Sequence, residues 1–189
     1  METSLSLLER LADRPAEADW RRLDGLYRPL LRAWAQRAGL ADADADDLTQ
    51  EVLLVVVREV ATFDRRRPGA FRSWLRVVLA NRLGDFFAAR RRHARPADSG
   101  VLEQLAAADS ELSRLWDREH DQHVAAKALR LVQGDFSAAT WQAFRRLVLD
   151  QAEPAAVAAE LGVSVNAVLL ARSRVLKRLR AELAGLVES

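Results

Sequence analysis

The chain has 189 residues, half of them hydrophobic, with no cysteine and a formal net charge of +2. That length holds one domain or two small ones, and the lack of cysteine excludes a disulfide framework, a zinc–thiolate site and a cysteine nucleophile. The balanced total hides an uneven distribution: arginines cluster over residues 65–67, 90–95 and 172–180, while acid gathers in Asp42, Asp44, Asp46, Asp47 and Glu51.

Opposite surfaces on one small protein suggest two kinds of partner. The longest apolar run, residues 52–57, is far too short to span a bilayer. The N-terminus carries no secretory pattern. The expectation is a cytoplasmic protein without membrane insertion.

Glycine and proline are sparse and fall at boundaries, and apolar residues recur at helical spacing. The fold expected is all-α: two small helical domains joined by a flexible linker, the C-terminal one a helix-turn-helix. A short helix is expected over 4–13. A second follows over 18–38, striped by Trp20, Leu23, Leu26, Tyr27, Leu30, Leu31 and Trp34 and stopped at Gly39. Pro29 should kink or interrupt it. A third runs from 44 or 45 to 61 with Asp44 as N-cap. It is apolar nearly all round its middle, so it should be central.

After a loop over 64–69, residues 71–92, FRSWLRVVLANRLGDFFAARRR, form the helix around which the rest is organised. Phe71, Trp74, Leu75, Val78, Leu79, Leu83, Phe86 and Phe87 recur at spacings of three and four. Arg72, Arg76, Asn81, Arg82, Arg90, Arg91 and Arg92 give it a cationic second surface. Aromatics interleaved with arginines offer stacking beside phosphate contact, which single strands need. For each residue taken alone, core aromatics and solvated arginines are the better explanation, because helical stripes are mostly packing.

The pattern fades over 93–109, where Pro96, Ser99 and Gly100 mark a linker with room for a transient turn of helix over 102–107. The domains expected are 1–94, a linker over 95–109, and 110–189. The second domain opens with a helix over 110–132, its apolar side including Leu112, Leu115, Trp116, His123 and Leu131. Ser137 caps another through 149. PAAVAAELGVSVNAVLLARSRVLKRLR then has the spacing of a helix-turn-helix. Pro154 starts the first helix, Gly162 makes the turn, Val163 plugs the core and Ser164 caps the second helix. Val168, Val175, Leu176, Leu179 and Leu183 form its buried stripe, with Arg172 toward that side. Asn166, Leu170, Ser173, Lys177 and Arg174 project outward. In such motifs the second helix enters the major groove.

With both halves read, the chain resembles an extracytoplasmic-function (ECF) sigma factor, the minimal two-domain class of bacterial RNA polymerase specificity subunit. DADDLTQEVLLVVVREVATF resembles the polymerase-binding helix of that family, FRSWLRVVLANRLGDFFAARRR its promoter-melting helix, and the helix-turn-helix its −35-reading domain. The resemblance implies that Asp47, Gln50 and Glu51 meet core RNA polymerase. It implies that Arg65, Arg66, Arg67, Trp74, Asn81, Arg82, Arg90, Arg91 and Arg92 serve −10 promoter DNA, with Asn81 and the 64–69 loop holding a flipped base. Ser164, Asn166, Ser173, Arg174 and Lys177 would serve −35 DNA. An anti-sigma factor is a common further partner in the family. Leu169, Leu170 and Ala171 depart from the basic or hydroxyl residues of many relatives.

No cofactor, small-molecule substrate or enzymatic activity is expected; no phosphate loop or nucleophile–base pair stands out. His120 and His123, three apart, offer two metal ligands without a third. Two other readings stay open. One is a stand-alone helix-turn-helix regulator with a dimerising or sensing N-terminal domain. The other is a decoy that binds an anti-sigma factor without directing transcription.

Overall fold

The computed structural model describes residues 6–63, 70–91, 99–184 and 186, with backbone alone for 91 and 99–101. Among these residues the regular elements are helical and there is no β-strand, as the periodicity requires.

Helix α1 (Leu7–Asp13) starts at Ser6, whose hydroxyl accepts from the Glu9 amide while Glu9 accepts from the Ser6 amide at 2.6 Å. This capping box satisfies two donors that the first turn would otherwise leave orphaned. Helix α2 (Glu17–Arg37) passes through Pro29 without interruption, contrary to expectation. Pro29 and Gly25, whose carbonyl loses its donor, are both exposed, so water can take the missing bond.

Helix α3 (Asp42–Glu59) begins two or three residues before the expected start. Its N-cap is Ala41, and Asp44 lies within the first turn instead. There the aspartates complement the positive end of the helix dipole.

Helix α4 (Ala70–Arg91) carries the organising stretch. The segment expected to be a loose linker instead contains helix α5 (Ser99–Ala106). Leu105 is buried. Arg76 donates to the carbonyl of Ala107, just past the end of α5, at 3.4 Å. A guanidinium there complements the negative end of a helix. Ser110 then caps helix α6 (Glu111–Gln133), accepting from the Ser113 amide at 2.9 Å.

The remaining elements are α7 (Ala138–Phe144), a π-helical turn (Arg145–Leu149), α8 (Pro154–Leu161) and α9 (Val165–Leu183). The helix expected over 137–149 thus changes character at Arg145, and the chain leaves it through Gln151 at φ 54°.

The described residues form two compact units that divide between Val124 and Ala125, inside α6, with Ala184 and Leu186 returning to the first. In the first, α2, α3 and α4 bury Leu23, Leu26, Tyr27, Leu31 and Trp34 with Leu48, Val52, Phe71, Leu75, Leu79 and Leu83. In the second, Val132, Phe144 and Val175 centre one cluster, and Val157, Val168 and Ala171 a neighbouring one.

The division falls well past the boundary expected at residue 110, because the first half of α6 completes the N-terminal unit. Trp116 is fully buried, stands edge-on to Trp34 at 5.3 Å between centroids, and donates from Nε1 to the carbonyl of Arg72 at 3.2 Å. Arg72 and Arg76, expected on a cationic surface, are buried instead. The Arg72 guanidinium pairs with Asp117 at 3.1 Å and Asp121 at 2.5 Å. Its four-residue spacing from Arg76 turns both toward α5 and α6. Farther along, His123 Nε2 donates to the carbonyl of Leu26 at 2.7 Å, and Arg37 meets Glu119 at 3.0 Å.

His120 has no exposed surface. Its Nδ1 lies 2.9 Å from Asp121 and its Nε2 3.2 Å from the Tyr27 hydroxyl. A neutral ring satisfies both contacts, donating from Nδ1 and accepting from Tyr27 at Nε2. Burial pushes the imidazole below its ordinary 6.5, outweighing the Asp121 hydrogen bond and charge. Burial alone would raise the Asp121 carboxyl, but hydrogen bonds from His120 and Arg72 bring it below its usual 3.8.

Three outcomes follow from this arrangement. Trp116→Ala should destabilise the chain by about 3–5 kcal/mol in urea, and a fragment ending at residue 94 should lack the cooperative unfolding of one ending at Val124. Acid should also weaken the fold. Between pH 6.5 and the lower folded value, the unfolded chain holds a His120 proton that the native state does not. The contribution is therefore complete above that window and falls as pH drops through it. Urea midpoints at pH 7.5 and 5.5 test this, and His120→Gln should flatten the difference.

Candidate functional site

Three exposed faces collect the residues that the sequence singled out. The first lies on α3. Asp47, Gln50 and Glu51 are all exposed, at positions i, i+3 and i+4 of one helical face. The same face continues through Leu54 and Val57, each 45% exposed. Thus α3 is not sheathed all round, as its composition suggested. It buries Leu48, Val52, Leu53 and Val56 and leaves an acidic-to-apolar strip outside. Leu54 was legible in retrospect, seven residues after Asp47 and so on its stripe.

Beside this strip runs a groove of about 310 Å³ between α3 and α4, lined by Asp44, Asp47, Glu51, Asp85 and Phe86 among others. Its electrostatics favour a cation. Arg90 supplies one from within, pairing with Asp44 at 2.7 Å while its guanidinium sits 4.9 Å from the centre of the Phe86 ring.

The second face lies on α4. Trp74, Val77 and Asn81 occupy positions i, i+3 and i+7 and line up along the helix. Trp74 is half-buried, its ring 5.0 Å from Phe63 and 5.5 Å from Phe71. The indole is thereby held rigidly with part of its surface free. Asn81 is exposed at the edge of a shallow groove shared with Leu102, Glu103 and Ala106 of α5. Arg82 pairs with Asp85 at 3.2 Å. Pairs as exposed as those of Arg82 and Arg90 contribute well under about 1 kcal/mol, so either guanidinium can exchange its partner cheaply. Arg65, Arg66, Arg67 and Arg92 lie outside the described residues, as does the side chain of Arg91.

The third face belongs to the C-terminal unit. Helices α8 and α9 meet at a bend of 104°. Gly162 makes the turn at φ 65°, a left-handed conformation in which a Cβ is disfavoured. Ser164 caps α9 by accepting from the Ala167 amide at 3.1 Å. Asn166, Ser173, Arg174 and Lys177 are exposed with it. Val168, Ala171, Val175 and Leu179 face inward.

Two expectations fail here. Val163 is 42% exposed rather than plugging the core, and Arg172 is exposed. Leu176 and Leu183 are partly buried and pack against the Val132–Phe144–Val175 cluster, as the stripe implied. Ala171 shares the inward side, which turns Arg172 outward. Leu131 of α6 is likewise 37% exposed.

His120 and His123 are engaged in the fold's own hydrogen bonds. Among the described residues no group of three or more His, Cys, Asp or Glu is placed to hold a metal. Among them, too, no single helix is long and apolar enough to cross a membrane.

An aromatic ring and an amide thus share one face of α4, and an acidic-to-apolar strip lies on α3. Among known families, residues 23–93 match Sigma-70 region 2. The chain therefore contains a Sigma-70 region 2 domain, extending from within α2 to just past α4. No protein of curated function matches the chain. The match stops short of α5 and α6, although both pack against the matched helices.

Gly162→Ala should cost about 1–2 kcal/mol, the strain of an L-residue in the left-handed region, read as a lowered urea midpoint. Asp47→Ala with Gln50→Ala should stay within about 0.5 kcal/mol per substitution, since both side chains are on the surface.

Proposed function

We propose that the chain is an RNA polymerase sigma factor of the extracytoplasmic-function type. It acts in the cytoplasm, without catalysis or a cofactor of its own, by lending core polymerase promoter specificity. The observation that carries this reading is the Sigma-70 region 2 match, together with the exposed acid–amide–apolar strip on α3.

On this reading Asp47, Gln50 and Glu51 engage core RNA polymerase. The acids steer a basic partner and set register, while Leu54 and Val57 bury apolar surface. The platform of Trp74 and Asn81 receives separated −10 bases. Stacking recovers part of the few kcal/mol that unpairing costs, and the amide supplies both a donor and an acceptor to a base edge. Arg82, Arg90, Arg91 and Arg92 neutralise phosphates around the opening, joined by Arg65, Arg66 and Arg67.

In the C-terminal unit, the 104° crossing of α8 and α9 and the Ser164 cap support a helix-turn-helix that places α9 in the −35 major groove. The two functional domains are then the region 2 unit and the helix-turn-helix unit. An anti-sigma factor is a further partner for either.

Purified protein with core polymerase should open a cognate promoter, read by permanganate footprinting and run-off transcription. Asp47→Ala with Gln50→Ala should weaken core binding by tenfold or more and leave the melting temperature nearly unchanged. Unaltered core affinity in that variant would remove α3 from the polymerase contact. Tight dimeric binding to intact palindromic duplex, without affinity for core, would establish a stand-alone regulator. Core-independent capture of an anti-sigma factor, with no transcript, would establish a decoy.

A further inference from the structure

The outward face of α9 is unusual for a surface that reads DNA. With Val168, Ala171, Val175 and Leu179 turned inward, helical geometry points Asn166, Leu169, Leu170, Ser173, Lys177 and Arg180 the other way. Leu169 is 42% and Leu170 47% exposed, and Val163 and Val165, each 42% exposed, stand at the helix entrance. Four large apolar side chains over eight residues at one end of a helix make a patch rather than scattered exposure.

Charge indicates what covers it. Among the described residues, Arg172, Arg174, Lys177 and Arg180 have no hydrogen-bond or ion-pair partner. The nearby acids are already taken, Glu160 by Arg146 at 2.9 Å and Glu182 by Arg178 at 2.8 Å. Unpaired cations around an apolar centre fit a polyanion that itself presents apolar groups. In the major groove of DNA the exposed apolar group is the C5-methyl of thymine.

We propose that Leu169 and Leu170 are specificity-determining residues that read thymine methyl groups in the upstream promoter element. Asn166 and Ser173 supply the polar base contacts between them. The proposal rests on the reading of α8 and α9 as a helix-turn-helix. It accounts for a recognition helix that places leucines where other such helices carry polar groups. Burying one methyl contributes about 0.8 kcal/mol, or about fourfold in affinity.

The test uses the full chain with core polymerase, on promoter duplexes selected from a pool randomised in the upstream element. Each thymidine there is replaced in turn by 2′-deoxyuridine, which keeps base pairing and loses only the methyl. Affinity should fall about fourfold at one or two positions. Leu169→Ala or Leu170→Ala should bind the thymidine and deoxyuridine duplexes equally at the matching position, whereas Lys177→Ala should weaken both alike. Sequence-selective binding with no loss at any deoxyuridine would overturn the proposal and leave the helix-turn-helix reading intact, making the leucines a surface for a protein partner. Absence of any selected upstream sequence would overturn both. Both leucines are on the surface, so the variants should fold, and their thermal melts report whether they do.

Discussion

The N-terminal unit depends on one buried contact: the guanidinium of Arg72 held between Asp117 and Asp121, with Trp116 and His120 packed around it. The arginine is buried and its two carboxylates are partly exposed, and desolvating the guanidinium cancels much of the attraction, so the net stability gained is small. Its contribution is selectivity. An arginine inside the fold tolerates only a neighbour that brings carboxylates at the right spacing, and α6 brings two, four residues apart. The Trp116 indole bonded to the Arg72 carbonyl, and the Tyr27–His120 pair, fix the same register a second and third time. Helix α6 is therefore part of the body that presents the α3 and α4 faces, although it lies beyond the matched family segment.

That contact also separates what could be read in the sequence from what could not. The helices, the turn at Gly162, the Ser164 cap and the exposed positions of Asp47, Gln50, Glu51 and Asn81 follow from periodicity and local chemistry, which act within a few residues. The burial of Arg72 and Arg76 does not. On a helical wheel they lie beside an apolar stripe and are indistinguishable from solvated arginines. Their fate is decided by Asp117, Asp121 and Ala107, more than 30 residues away along the chain. The same holds for the linker: proline, serine and glycine at 96–100 announced a break, but Leu105 and the Arg76 contact with Ala107 settled the helix that follows.

The apolar residues on the surface are informative for the opposite reason. In α3 the run LLVVV suggests a helix buried on all sides, yet Leu54 and Val57 remain outside, in line with the acids. In α9 Leu169 and Leu170 do the same beside unpaired cations. In both places an apolar pair adjoins charged groups, which suits a partner that must be attracted first and desolvated afterwards.

The Arg90 guanidinium now holds Asp44. Asp44 precedes Asp47 by three residues on the helix proposed to meet polymerase. If a nucleic-acid phosphate draws Arg90 away, the carboxylate it abandons adds a negative charge to that surface. A basic protein seated there would, by thermodynamic reciprocity, make Arg90 easier for the phosphate to claim. One surface ion pair would thus let each of two large ligands favour the arrival of the other, with no change in the backbone that carries them.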